Sequence, residues 1–200
     1  MVKKADINGL DIAYKTDYRN VKYPRLEFKT GGLVLILPKG YQDEQELINK
    51  HKAWVHKKSS IIQTAIKDAR KRQLNLDRSE IELKDIIYRS TKEFSKSLKT
   101  RVKRIYLKHL KSKWGSCSSK GNLTFNLWLR YLPADLIRYV VLHEVAHLIE
   151  KRHKDRFWSI VGHHFRDYPE NEKRLLSYWF LVQEFIKKKR PADDIGNFSF

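Results

Sequence analysis

The chain is short of the residues that staple, break or neutralise a fold. One cysteine in 200 residues excludes an internal disulfide and points to a reducing, cytoplasmic setting. Five prolines and eight glycines leave few forced breaks between elements. No apolar run of about eighteen residues occurs, which excludes an evident membrane-spanning helix. Met1-Val2-Lys3-Lys4-Ala5-Asp6 leads into polar sequence rather than the apolar stretch of a secretory signal. Acidic residues are scarce, 23 against 42 lysines and arginines, for a net charge of +19. The 41% of hydrophobic residues can build a core, and the length suits one or two small domains.

The charge is clustered. Residues 89–120 hold eleven Lys/Arg and one acid, Glu93. Such a stretch can hold a polyanion such as nucleic acid through counterion release, or steer an acidic substrate. No known nucleic-acid reading motif accompanies it.

Directly after that segment comes His143-Glu144-Val145-Ala146-His147, inside an apolar run that begins near Pro133. On a helix, positions four apart share a face. His143 and His147 can therefore reach one metal ion, with Glu144 beside them to activate water. Pro133 suits the start of such a helix, and Asp135 complements its positive end. A catalytic zinc site needs a third protein ligand and an open position. His153 is the leading candidate. Six steps beyond His147, it would point away from the metal on a straight helix, so the helix must end or turn around Glu150-Lys151-Arg152. With no glycine there, Lys151 or Arg152 is expected to adopt an unusual backbone conformation. Glu150, Glu170 and Glu172 are competing ligands. His163 and His164 are adjacent, diverge on a helix, and read better as surface and packing residues. Cys117 reads as a small packing residue, with ligation of the metal as its alternative.

Several segments carry a family likeness: Lys113-Trp114-Gly115-Ser116-Cys117-Ser118, Gly121-Asn122-Leu123-Thr124-Phe125-Asn126, the helix around His143 to Leu148, His153-Lys154-Asp155-Arg156-Phe157-Trp158, and Asp167-Tyr168. In this order they resemble the YgjP-like metal-dependent hydrolases, zinc metallopeptidases related to the WLM and SprT-type families. The resemblance implies one zinc ion per chain, bound by His143, His147 and His153, with Glu144 as catalytic base and a peptide or protein as substrate. It says little about which substrate.

The expected fold is α+β. Strands over Ile7–Tyr14, Leu26–Phe28 and Leu33–Leu37 read as a small antiparallel sheet. A helix follows over 42–72, where Leu47, Ile48, Trp54, Val55, Ile61, Ile62, Ala65 and Ile66 recur at helix-like spacing. The polar stretch 67–77 reads as a loop. Next come a helix over Ser79–Lys99, with Ile81, Ile86, Ile87, Tyr88, Phe94 and Leu98 inward, and an antiparallel hairpin pairing 102–111 with 123–129. The metal helix stands beside that hairpin in a minimal zincin-like domain. Two more helices are expected over 154–165 and 171–189, with Pro169 breaking between them. The domain expectation is 1–75 strand-rich with a helix, 76–189 catalytic, and 190–200 a loose tail.

The function these features point to is zinc-dependent peptide hydrolysis. A substrate could pair with the 122–129 strand as a sheet edge, with Asn126 or Trp114 lining the cleft; His164, Arg166 and Tyr168 are loose candidates for stabilising the oxyanion. Two alternatives stand beside it. One is nucleotide or phosphoanhydride hydrolysis with the basic segment on the phosphates. The other is a nucleic-acid-associated protein with a structural zinc.

Overall fold

A computed structural model describes residues 2–7, 9–29 and 31–189; the tail expected over 190–200 lies outside them. The chain divides into two compact units, Met1–Asp68 and Ala69–Phe200.

The first unit holds β1 (Lys3–Ile7), β2 (Leu10–Arg19), β3 (Arg25–Lys29), β4 (Gly32–Pro38), α1 (Glu44–Lys50) and most of α2 (Lys52–Ala69). Its sheet has the order β1-β2-β4-β3. β2 runs parallel to β4, while the other two pairings are antiparallel. The sheet is therefore mixed, not antiparallel as expected. Leu33, Leu35, Ile36 and Leu37 are all buried. A strand this apolar cannot serve as an edge, and β4 takes a central position. The strand read over Ile7–Tyr14 is broken at Gly9, whose φ of +77° suits glycine and few others. The single helix read over 42–72 is two helices, separated at His51. Leu47, Ile48 and Val55 pack with Ile7, Ile12, Tyr14 and β4. Trp54 and Ile61, on the same helix pattern, are 41% and 43% exposed.

The second unit carries α3 (Glu80–Ser97), β5 (Arg104–Lys108), β6 (Gly115–Cys117), β7 (Asn122–Asn126), a 3-10 turn (Leu127–Tyr131), α4 (Ala134–Ala146), α5 (Asp155–His164) and α6 (Tyr168–Lys189). Ser79 opens α3 with a reciprocal cap. Its hydroxyl accepts from the Glu82 N–H at 3.1 Å, and the Glu82 carboxylate accepts from the Ser79 N–H at 2.7 Å. The buried stripe of α3 is Leu83, Ile87, Ser90, Thr91 and Phe94. It passes through two small polar residues, so a count of apolar positions misses it; Ile81 and Tyr88 face out instead.

The second sheet has the order β5-β7-β6, with β5 parallel and β6 antiparallel to β7. The hairpin is thus β6–β7, and β5 joins β7 in parallel, not as the antiparallel partner expected. Fully buried Asn126 explains the difference. Its side-chain amide donates to the carbonyls of Leu110 and Lys113, both at 2.9 Å. That folds residues 109–114 back so that the chain re-enters as β6. The same side chain accepts from the Trp128 N–H at 3.1 Å, which ends β7 and starts the 3-10 turn where the strand was expected to continue. α4 is apolar on nearly every side, with Leu136, Ile137, Tyr139, Val140, Val141, Leu142, Val145 and Ala146 buried. Such a helix belongs inside, and α3, β6, α5 and α6 all pack on it. Pro169 starts α6 rather than breaking before it. Among the described residues no helix is long and apolar enough to cross a membrane.

Candidate metal centre

α4 carries His143, and His147 caps its end one turn on, their rings 5.0 Å centre to centre. The helix ends at Ala146 and His147 keeps helical dihedrals. The turn that follows needs no left-handed residue, contrary to expectation; among the described residues only Lys99 combines a side chain with positive φ. Hydrogen bonds tighten from four residues to three instead. The Leu148 and Ile149 N–H groups donate to Val145 and Ala146, both at 3.0 Å. The Glu150 carboxylate then accepts from the Arg152 N–H at 3.0 Å. This brings His153 back over the helix end, its Nε2 3.0 Å from Nε2 of both His143 and His147.

The three ring nitrogens lie within 4.8 Å of one another, and no other His, Cys, Asp or Glu among the described residues joins the group. Glu150, Glu170, Glu172, Cys117, His163 and His164 are therefore outside it. The donor set fits a cation. His147 Nδ1 lies 3.0 Å from the Glu150 carbonyl, which can only accept, so Nδ1 carries the proton and the neutral ring turns a bare lone pair toward His153. Three nitrogens at this spacing cannot all satisfy one another; a divalent ion bonding each at ~2.0–2.1 Å can. Burial, and then the two neighbouring histidines, push the His143 pKa down to about 3, and burial lowers that of His147. Both shifts favour the neutral ring, the form a metal ligand needs.

Phe157 and Trp158 brace these rings. Phe157 stacks on His147 at 4.6 Å and meets His143 and His153 edge-on. Trp158 stacks on His153, and Tyr168 on Trp158. The signal for this bracing is their spacing from His153, four and five residues on.

Beside the histidines opens a cleft of about 630 Å³. Lys113, Trp114 and β6 form one wall, α4 the floor, and Glu172, Leu175, Leu176 and Trp179 of α6 the other wall. The open sheet edge here is β6. β7, expected to be the docking edge, is the central strand, paired on both sides. Trp114 lines the cleft, while Asn126, His164, Arg166 and Tyr168 do not. Cys117 lines it too; burial pushes its thiol pKa up, and its sulfur lies 3.7 Å from Lys151 Nζ. Glu144 also faces the cleft. Only 6% exposed, its carboxyl is pushed up to about 7 by burial.

A model of the YgjP-like metallopeptidase domain matches residues 59–178. The chain belongs to the YgjP-like family. It is by that membership a metal-dependent peptidase. Similar solved structures include the metallopeptidase zymogen of Pyrococcus abyssi abylysin, at 22% identity over 46% of this chain and 92% of that one, with a TM-score of 0.43. Another is the zymogen of Methanocaldococcus jannaschii jannalysin, at 24% identity over 53% of this chain and 95% of that one, with a TM-score of 0.39. No curated protein matches the chain.

In this YgjP-like chain the glycine of Trp114-Gly115-Ser116-Cys117 has a steric role. A Cβ on Gly115 would stand 2.7 Å from Glu144 Cγ and 2.8 Å from its Oε1. The backbone of β6 and the Glu144 side chain are in direct contact, so the edge strand fixes where the carboxylate sits. Gly115→Ala is expected to displace that carboxylate and lower turnover about 100-fold with metal content unchanged. Unaltered turnover in that variant would separate β6 from the position of Glu144.

Proposed function

We propose that this chain is a zincin-like zinc metallopeptidase in which His143, His147 and His153 hold one zinc ion and Glu144 is the general base. The observation that carries the reading is the convergence of three imidazole nitrogens beside the buried Glu144 carboxylate, all facing one cleft. When bound, the ion polarises the scissile carbonyl and acidifies a water molecule. The Glu144 carboxylate takes the proton of the attacking water and returns it to the leaving amine. Gly115, Ser116 and Cys117 offer the free edge of β6 to an extended peptide, whose backbone can add a strand there. Trp114, Leu175, Leu176 and Trp179 give the cleft an apolar wall for a substrate side chain.

The test is a comparison of a peptide library with nucleoside triphosphates, using wild type and Glu144→Gln side by side. Cleavage of peptides only, lost in the variant, is expected. Turnover of triphosphates alone would overturn the peptidase reading in favour of phosphoanhydride chemistry.

Nucleic acid remains a candidate partner for residues 89–120. Glu93, the only acid there, is tied to Arg138 at 2.7 and 2.8 Å. Arg104 and Lys108 alternate with Tyr106 on one face of β5, a pattern suited to phosphates and a stacked base. Binding to single-stranded DNA should weaken steeply between about 50 and 200 mM salt. A flat response would remove this partner.

A further inference from the structure

Behind His143, on the side away from the other histidines, α6 supplies a carboxylate. Glu172 Oε1 lies 3.7 Å from His143 Nδ1. The same oxygen accepts from the Tyr139 hydroxyl at 2.5 Å. Tyr139 is fully buried and stands one turn before His143 on α4, so the two share a face and grip one carboxylate. The start of α6 is anchored as well: Arg174 donates to Asp135 of α4 at 2.7 Å and to Asn171 at 3.0 Å. His147 has its own rear partner in the Glu150 carbonyl. At His143 the group facing Nδ1 is the Glu172 carboxylate.

We propose that Glu172 is a positioning residue for His143, aimed by the buried Tyr139 hydroxyl. It favours the tautomer with the proton on Nδ1, which leaves the Nε2 lone pair directed at the shared centre. Carboxylates behind metal-binding imidazoles fix the ring and raise its basicity. The inference rests on the reading of His143 as a ligand. It makes Glu172 an outer partner of the site, where the sequence alone offered it as a competing ligand.

A rival account is that Glu172 only satisfies a buried phenol. The experiment separates the two by measuring zinc affinity of the full chain through chelator competition. Glu172→Ala is expected to weaken zinc about 10–100-fold, with Glu172→Gln recovering most of it because its amide oxygen keeps an acceptor facing Nδ1. The same Glu172→Ala loss is expected in a Tyr139→Phe background, where no phenol needs a partner. Nitrogen NMR of the metal-free protein should find His143 protonated on Nδ1 in wild type and as a tautomer mixture in Glu172→Ala. Unchanged affinity and tautomer, or a loss that vanishes in the Tyr139→Phe background, would overturn the proposal. His143→Ala belongs in the same assay. If it keeps wild-type affinity, the ligand reading itself fails; if it loses zinc while Glu172→Ala does not, only the positioning role fails.

Discussion

Glu144→Gln is expected to retain its metal and to lose turnover by about two to four orders of magnitude, the usual worth of a general base. The substitution is nearly isosteric, and the carboxylate lies outside the group of three imidazoles. Metal uptake should therefore survive. What the amide cannot do is accept a proton. The native side chain is well placed to do so. It is 6% exposed, in contact with the backbone of β6, and raised by burial to about 7. A cation beside it will draw that value down, while the dry surroundings hold it up. The check pairs steady-state hydrolysis with metal content on the same preparation. Full turnover in metal-loaded Glu144→Gln would end the assignment of the base. Gly115→Ala should show a milder form of the same phenotype, since it moves the carboxylate without removing it.

The family and the metal helix are legible in the sequence because their signals are local. His143 and His147 obey a helical spacing that any reader of periodicity can apply, and Trp114-Gly115-Ser116-Cys117 with the His153-to-Trp158 segment carries the resemblance. His153 shows where local reasoning stops. Helix geometry points it away from the other two, and the remedy lies in two three-residue hydrogen bonds at Leu148 and Ile149 that no residue type announces. Strand order is less legible still. Pairing β2 with β4, or β5 with β7, joins residues far apart in sequence, and their own patterns say only that they are strands. The decisive residue for the second sheet is Asn126, whose reach to Leu110 and Lys113 turns an apparent two-strand hairpin into a three-strand sheet. The stripe on α3 escapes an apolar count because Ser90 and Thr91 occupy buried positions that such a count hands to Ile81 and Tyr88. Glu172 stands out in the sequence for its chemistry, but only the geometry shows which nitrogen of His143 it faces.

Stripping the metal is expected to cost the folded protein on the order of 10 °C of thermal stability at pH 7.5, and His143→Ala or His147→Ala should abolish that response to chelator. An ion present at about 1,000 times its dissociation constant contributes about 4 kcal/mol of stability, which sets the scale of the shift. The metal-free protein should then show a pH profile dominated by two buried groups whose shifts run in opposite directions, with His147 adding to the acid side. His143 has a folded pKa of about 3 against an ordinary 6.5. The unfolded chain binds its proton first, so stability falls as the pH drops from 6.5 toward 3. Glu144 has a folded pKa of about 7 against 4.5. The folded state holds that proton longer, so stability falls as the pH rises from 4.5 toward 7. Each slope approaches about 1.4 kcal/mol per pH unit, and between about pH 4.5 and 6.5 they oppose each other. Metal-free protein is therefore expected to be most stable in that acidic window, and Glu144→Gln to flatten its alkaline side. The bound metal should favour the alkaline side, because protons compete for the same imidazoles. Melting curves from pH 4 to 8, with and without chelator, read all of these effects. A chelator response in His143→Ala as large as in wild type would mean that the ion sits elsewhere in the molecule.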